Sequence, residues 1–165
     1  MRIHLQPATP EDAPEIAMLR NRISAVQTTL HGTGHWSGAA TEKGVLFNMR
    51  TSRVLVARGE SGIIATLRLG TKKPWAIDKS YFTLCEKPLY LTDMAVVPEL
   101  QRQGIGRLCL EEMLRIAREW PADAIRLDAY DATAGAGEFY RRCGFREVGR
   151  VVYRNTPLIF FETLL

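Results

Sequence analysis

Residues 89–120 read LYLTDMAVVPELQRQGIGRLCLEEMLRIAREW, and this stretch decides the fold. Its first nine residues are mostly apolar and predict a buried strand, which Pro98 ends because proline has no N–H to give to a ladder. A turn with Gly104 and Gly106 follows, and then apolar side chains recur at helical spacing. The apolar positions of this helix are Ile105, Cys109, Leu110, Met113, Leu114, Ile116, Ala117 and Trp120. The stretch therefore predicts a strand, a glycine turn and an amphipathic helix in succession.

The glycine turn is a candidate anion site. Residues without side chains at a helix entrance let a ligand approach the backbone closely. The first-turn N–H groups have no partner inside the helix and lie at the positive end of its dipole, where phosphate binds. Arg102 and Arg107 flank the turn and add positive charge. The pattern predicts a pyrophosphate site, although glycines between a strand and a helix also serve simply as turn residues.

Length and composition exclude several classes of protein. With 165 residues we expect one domain over residues 1–165. The net charge of +4 is mild and no long basic run exists, so we expect no nucleic-acid partner. No apolar run approaches the roughly 18 residues of a membrane span, and the N-terminus lacks the apolar core of a signal peptide. Three cysteines without a C-x-x-C pair fit reduced thiols in a cytoplasmic protein.

The rest of the chain predicts an α+β fold, with helices early, a mixed sheet, and a β-α-β unit in the second half. Thr9 can cap a helix that starts at Pro10 and continues through Leu30. Further helices are predicted at residues 41–49 and 133–142. Strands are predicted at residues 2–6, 53–57, 63–69, 124–129, 145–153 and 158–165, the second and third forming an antiparallel hairpin.

Two phrases resemble motifs of the GNAT superfamily of acyl-CoA-dependent N-acyltransferases. MAVVPELQRQGIG at 94–106 is similar to the family's Q/R-x-x-G-x-G/A phrase, with Gln101, Gly104 and Gly106 in the motif positions. AGEFYRRCGF at 136–145 is similar to the family's F/L-Y-x-x-x-G-F phrase. The order of elements also resembles the family's. The resemblance implies a GNAT-like mixed, mostly antiparallel central sheet of about seven strands flanked by about four helices.

The resemblance implies an N-acetyltransferase that moves an acetyl group from acetyl-CoA to a primary amine by direct attack. The backbone of Met94, Ala95 and Val96 would pair with the pantetheine arm like an added strand. Thr133 stands where the family has an asparagine, and Tyr140 matches the family tyrosine near the cofactor sulfur. The pyrophosphate would be held by Gln101, Arg102, Gln103, Gly104, Ile105, Gly106 and Arg107.

The chemistry of acyl transfer gives these residues roles. The amine must be neutral, and an N–H at Ala95 or Val96 can serve the developing oxyanion. Tyr140, with a reference pKa of about 10, can donate the proton that the departing thiolate needs, or it is simply a packed helix tyrosine. Asp93 is the candidate base, directly or through a water, with a structural pairing to an arginine as the alternative.

Two loops and two cysteines are also considered for a functional role. His31 and His35 lie with Trp36 in a glycine-rich loop that has no helix or third ligand to make a metal site, so we expect no metal. This loop either lines the acceptor pocket or faces solvent. Residues 70–88 form a long connection, and its large side chains, Trp75, Tyr81 and Phe82, are expected to pack in a core rather than line an acceptor wall. Cys85 and Cys143 are expected to be inert.

Two other functions stay open at this point. The sequence GIGRLC is one residue from the dinucleotide fingerprint G-x-G-x-x-G, and Asp128 lies about 20 residues on, as a nicotinamide oxidoreductase would need. Against this, Cys109 replaces the third glycine, and the first does not directly follow the strand. The other alternative is a non-catalytic CoA-binding sensor. For the enzyme, the expected acceptor is a small-molecule amine or a peptide amine, and a homodimer is compatible with the sequence.

Overall fold

The computed structural model describes residues 1–165, which form seven strands and four helices. The strands are β1 (Leu5–Pro7), β2 (Arg53–Gly59), β3 (Gly62–Gly70), β4 (Pro88–Val96), β5 (Ala124–Tyr130), β6 (Arg146–Tyr153) and β7 (Thr156–Leu164). The helices are α1 (Ala13–His31), α2 (Glu42–Thr51), α3 (Ile105–Glu119) and α4 (Gly137–Arg142).

The strands form one sheet in the order β1-β2-β3-β4-β5-β7-β6. β4 and β5 pair in parallel, whereas β1 with β2, β2 with β3, β5 with β7, and β6 with β7 are antiparallel. The β4–α3–β5 succession supplies the helix that a parallel connection requires. The predicted α+β class, with a mostly antiparallel seven-stranded sheet and four helices, is confirmed.

The chain divides into two compact units. The first comprises Met1–Leu69 and Asp93–Met113, and the second Gly70–Thr92 and Leu114–Leu165. β4 therefore begins in the second unit and ends in the first. The expectation of a single domain over residues 1–165 stays a prediction.

In the first unit, α1 and α2 pack their apolar side chains with those of β2 and β3. The cluster contains Ala13, Ile16, Ala17, Leu19, Val45, Val54, Val56, Ile63 and Ala95. Apolar side chains near the end of α1 are not all buried, since Leu30 is 70% exposed. Polar side chains of α1 hold the following linker: Asn21 bonds to both the N–H and the carbonyl of Ala40.

α1 also begins later than the sequence indicated. Pro10–Asp12 forms a 3-10 turn, and α1 itself starts at Ala13. The N–H of Thr9 donates to the carboxylate of Asp12 at 2.8 Å, and both oxygens of that carboxylate accept from Arg58 at 2.8 Å. Desolvation raises the pKa of Asp12, but the bonds from Arg58 and Thr9 outweigh it, so the pKa is lowered. The cap predicted at Thr9 is therefore part of a fixed turn.

In the second unit, the core forms around Phe160. Its neighbours include Ile77, Tyr90 and Leu158. The ring of Phe82 lies 5.4 Å from that of Phe160 and the ring of Tyr81 lies 5.5 Å from it. Core packing is thus confirmed for Phe82 and partly for Tyr81, which is 43% exposed. It is wrong for Trp75, which is 82% exposed.

Two buried charges fix the long connection of residues 70–88, in which Lys79–Tyr81 is a 3-10 turn. Glu162 is 1% exposed and accepts the N–H and the hydroxyl of Thr83, at 3.1 and 2.6 Å. Arg126, directly across the ladder from Glu162, donates to the Thr83 carbonyl at 2.8 Å and lies over the Phe82 ring. Side-chain hydrogen bonds therefore hold this segment where no ladder does.

α4 is shorter than predicted, because residues 133–136 form a turn in which the Gly135 N–H donates to the Ala132 carbonyl at 2.9 Å. None of the four helices combines the length and the hydrophobicity that a membrane span needs.

Candidate functional site

β4 provides one edge of the candidate site in the first unit. The Val97 N–H donates to the Ile64 carbonyl of β3 at 2.9 Å. Peptide groups alternate in direction along an extended strand, so those of Val96 point away from β3 and those of Ala95 point toward it. The Val96 carbonyl accepts a bond from the Gln101 side chain at 3.1 Å. Ala95 and Val96 were the two residues whose N–H was considered for an oxyanion. Only the N–H of Val96 points away from β3, where a ligand could accept its hydrogen bond.

The turn between β4 and α3 contains two residues with a left-handed backbone. After a 3-10 turn at Pro98–Leu100, Gln101 is extended, Arg102 has φ of 61° and Gly104 has φ of 85°. Gln101, Arg102, Gln103 and Gly104 are all exposed, whereas Ile105 is buried. The turn is thus open to a ligand and fixed at its end.

The polar side chains of the turn stabilise its shape. The side-chain amide of Gln103 donates to the Glu99 carbonyl at 2.8 Å, as that of Gln101 does to Val96. Arg107 is exposed, and its Nε donates to Glu111 at 3.1 Å. The side chains of both glutamines are therefore engaged with backbone carbonyls at the turn.

α3 supplies the positive helix end. The Leu108 N–H donates to the Gly104 carbonyl at 3.0 Å, and the amides before it have no acceptor inside the helix. Cys109, Met113 and Ala117 are fully buried, which confirms the predicted apolar row and anchors the helix. Burial raises the pKa of the Cys109 thiol to about 11, so this cysteine stays a neutral core residue.

In the second unit, α4 places Tyr140 among aromatic rings. It is 8% exposed, with the rings of Phe139, Phe145 and Phe161 within 5.2–5.9 Å. Burial, with smaller electrostatic contributions from Asp128 and Cys143, raises the pKa of Tyr140 far above its ordinary value. The phenol is therefore protonated at neutral pH. Thr133 lies exposed in the turn before α4.

Asp128 on β5 is a further candidate site residue. From the sequence it was considered only as part of a dinucleotide-binding fingerprint. Burial raises the pKa of its carboxyl, and its charge acts on Tyr140. A carboxyl whose pKa is raised by desolvation is a candidate for a functional group. The available signal was an acid in the predicted strand of residues 124–129, whose remaining residues are apolar except for Arg126.

Asp93 has a left-handed backbone, with φ of 54°, and lies between two arginines. Its Oδ1 accepts from Arg20 Nη2 at 3.0 Å, and its Oδ2 is 3.0 Å from Arg68 Nε. The second contact is an ion pair without hydrogen-bond alignment, since the buried Arg68 Nε has no hydrogen-bond partner. The pairing with arginine considered from the sequence is therefore present, although the base role remains a prediction. Arg20 is 73 residues away in sequence, so no local pattern indicates this contact.

The linker between α1 and α2 packs on α1. Ser24 donates to the Trp36 carbonyl at 2.8 Å, and the Trp36 ring N–H donates to the Gly32 carbonyl at 2.9 Å. His31 meets the Trp36 ring edge to face, and both His31 and His35 are exposed. No group of three His, Cys, Asp or Glu side chains is placed to hold a metal ion.

Comparison with known proteins identifies the family. The family profile described as "Acetyltransferase (GNAT) domain" matches residues 50–147. A Bacillus subtilis protein named uncharacterized N-acetyltransferase CgeE is 33% identical over 78 residues, which are 47% of this chain and only 29% of that protein.

Solved structures agree in fold. The ribosomal-protein-alanine N-acetyltransferase of Brucella melitensis is 20% identical, with a TM-score of 0.71 over 98% of this chain and 99% of that one. The structure of yncA from Salmonella typhimurium with its cofactor acetyl-CoA is 16% identical, with a TM-score of 0.69 over 100% and 95%. At these identities the structures show the fold alone.

The dinucleotide fingerprint is not met, because β4 ends at Val96 and the first glycine of the turn is Gly104. The family profile, in contrast, spans more than half of the sequence and includes β4, the turn, α3 and Tyr140. The chain belongs to the GNAT acetyltransferase family.

Proposed function

We propose that this chain transfers an acetyl group from acetyl-CoA to a primary amine. The observation that carries the proposal is the exposed turn with two left-handed residues leading into α3, in a chain of the GNAT acetyltransferase family. The presence of acetyl-CoA in the yncA structure supports the same donor here. Bound acetyl-CoA would supply the thioester whose carbonyl carbon the amine attacks.

The residues of the first unit fit the phosphate end of this donor. The outward N–H groups of residues 102–107 would bind the pyrophosphate, because they lie at a positive helix end and carry no competing partners inside the helix. Arg102 would add charge from the turn. The outward edge of Met94, Ala95 and Val96 would pair with the pantetheine arm, and the Val96 N–H would donate to the developing oxyanion.

In the second unit, Tyr140 would donate to the departing thiolate. Because burial raises its pKa, the hydroxyl is protonated at every pH at which the enzyme would operate. The same shift makes it a weaker acid than a free phenol, so its first contribution is a hydrogen bond that stabilises the thiolate. Thr133, in place of the family's asparagine, would offer a hydroxyl near the start of the same helix.

The acceptor nitrogen must lose a proton to attack, because an ammonium has no lone pair. Asp93 would take that proton directly or through a water. Each of its oxygens already lies 3.0 Å from a guanidinium nitrogen, which favours the water-mediated route.

Two measurements test the proposal. Thermal unfolding is recorded with acetyl-CoA, CoA or NADH, and release of the CoA thiol is then followed with a panel of primary amines. We expect stabilisation by both CoA compounds but not by NADH, since only a ligand of the folded state shifts the transition. Thiol release should require an amine. Stabilisation without transfer to any amine would instead identify a sensor, and no stabilisation by either CoA compound would refute the proposal.

A further inference from the structure

Four elements of the first unit bring polar side chains to one place. Arg20 comes from α1, Asn48 from α2, Arg68 from β3 and Asp93 from β4. Arg20 and Arg68 each contact one oxygen of Asp93 at 3.0 Å, and Arg68 Nη1 donates to Asn48 at 3.3 Å. We call Arg20 and Arg68 the arginine pair.

The charges of this cluster do not balance. One carboxylate faces two guanidinium groups, which leaves one positive charge. The side chains of Arg20, Arg68 and Asp93 are 30%, 27% and 27% exposed. The charge is therefore largely shielded from water but still accessible to a ligand from solvent. Guanidinium groups that are held close together without a second anion repel each other, and an added anion would relieve this.

The donors of the arginine pair are also incompletely used. Each guanidinium has five N–H groups, whereas the bonds to Asp93 and Asn48 occupy few of them. Arg68 Nε is buried without a hydrogen-bond partner, which is unfavourable for a charged group. The cavity among these side chains measures about 10 Å³, room for no more than a single water. A larger anion must therefore approach from the exposed side.

The position along the chain connects this cluster to the transfer step. Asp93 directly precedes Met94, Ala95 and Val96, the segment proposed for the donor arm. Its φ of 54° is unfavourable for a residue with a side chain, and such strain is typically retained at functional sites. By contacting the Asp93 side chain, the two guanidinium groups also stabilise β4 where its backbone is left-handed.

We propose that the arginine pair binds a carboxylate of the acceptor, so that the substrate is a primary amine that also carries a carboxylate, such as an amino acid. This rests on the acetyltransferase function proposed above. Guanidinium groups match a carboxylate in shape and charge and can each give it two parallel bonds. Asp93 acts in this arrangement as the positioning residue that keeps the two guanidinium groups apart and oriented.

Matched substrates provide the test. Values of kcat/KM are measured for amino acids and for their carboxamides, from CoA thiol release, and are compared per neutral amine. We expect the carboxylate form to be preferred about 10- to 100-fold, as for loss of a hydrogen bond to a charged group. In R20Q the preference should fall close to one, and in R20K part of it should remain.

Arg50→Gln is the matched control, because it removes the same charge at an exposed residue of α2 whose guanidinium lies over the Phe47 ring. It should keep the wild-type preference, and thermal unfolding checks that each variant is folded. Equal or better turnover of carboxamides, or a higher kcat/KM for an aminoalkyl phosphate than for any carboxylate, would overturn the inference while leaving acetyl transfer intact. Absence of transfer to every amine would remove the proposed function itself, and this inference with it.

Discussion

Tyr140 and Asp93 lie in opposite kinds of surroundings, one aromatic and one charged. Tyr140 lies among three aromatic rings, and its surroundings hold the proton on its oxygen. Asp93 lies between two guanidinium groups, which fix the orientation of its carboxylate. In the proposed acetylation, one proton leaves the acceptor amine and another reaches the thiolate, and Asp93 and Tyr140 are the groups proposed for these two transfers.

The first prediction concerns Tyr140. Tyr140→Phe should lower kcat by about 100-fold or more, the usual contribution of a positioned acid, and should leave the Kd for acetyl-CoA nearly unchanged. The measurements are steady-state thiol release and calorimetric titration. Tyr153→Phe, a tyrosine of β6 whose ring contacts Arg154, is the control and should behave as the wild type. A normal kcat in Tyr140→Phe would remove this hydroxyl from the mechanism.

Residue-scale features were the hardest to obtain from the sequence. Tyr140 was found because a short phrase surrounds it, but its ring cluster includes Phe161 from a strand 21 residues later. A pairing of Asp93 with an arginine was considered, but Arg20 and Arg68 were not identified, because their contacts join α1, β3 and β4. Asp93 and Arg102 have a left-handed backbone but are not glycines, so the sequence does not indicate this conformation. Such features arise from long-range packing, which overrides local preference.

Among the elements, the turn and α3 carry the expected donor site. Their geometry depends on Gly104, whose φ of 85° lies in a region that a side chain disfavours by about 1 to 2 kcal/mol. A Cβ there would meet open space, so a substitution acts through the backbone alone.

The second prediction follows from this. Gly104→Ala should raise the Kd for acetyl-CoA about 5- to 30-fold, because the turn must reach the same strained conformation to present its N–H groups. Calorimetry measures the affinity, and urea unfolding measures any loss of stability. Gly38→Ala is the matched control, since Gly38 has φ of −68° and equally open surroundings. An unchanged Kd in Gly104→Ala would mean that the turn does not bind the donor.

Whole elements were easier to predict than residues. The apolar spacing of α3 and the apolar runs of β4 and β5 are strong local patterns, and the structure places these elements within a residue or two of the predicted limits. The pattern was misleading where apolar residues are not covered, as in the second half of α1 and at Trp75. Hydrophobic spacing specifies which face is apolar, but not whether another element covers it.

At the scale of the molecule, each unit contains a carboxylate whose pKa is lowered. Asp12 belongs to the first unit and Glu162 to the second. Desolvation raises the pKa of Glu162, but its bonds from Thr83 and Arg146 together outweigh this effect. A folded-state pKa below the unfolded value contributes stability that is complete above the unfolded pKa and is lost as pH falls through the folded pKa.

The third prediction is an acid-dependent loss of stability. The free energy of unfolding should change little from pH 7 to about pH 5 and decrease below about pH 4, as these carboxylates become protonated. Glu162→Gln should lower the free energy of unfolding at pH 7 by about 1 to 3 kcal/mol, with a smaller difference from wild type at low pH. Urea titrations across pH measure both effects.

Glu138→Gln is the control, because Glu138 is 65% exposed and forms only surface ion pairs with Arg141 and Arg142. Its effect should remain within about 0.5 kcal/mol. A Glu162→Gln protein as stable as wild type at pH 7 would show that the buried carboxylate contributes nothing to folding.

The bonds of Thr83 hold residues 70–88 in place without a strand, which leaves part of this segment open to insertion. Thr83 bonds to Glu162 and Arg126, and the N–H groups of Glu86 and Lys87 donate to Asp123. Ile77 and Phe82 of the same segment are buried in the core, whereas Trp75 is 82% exposed. An insertion next to Trp75 would therefore lengthen the loop without breaking a strand. A peptide grafted next to Trp75 should accordingly be tolerated by the fold.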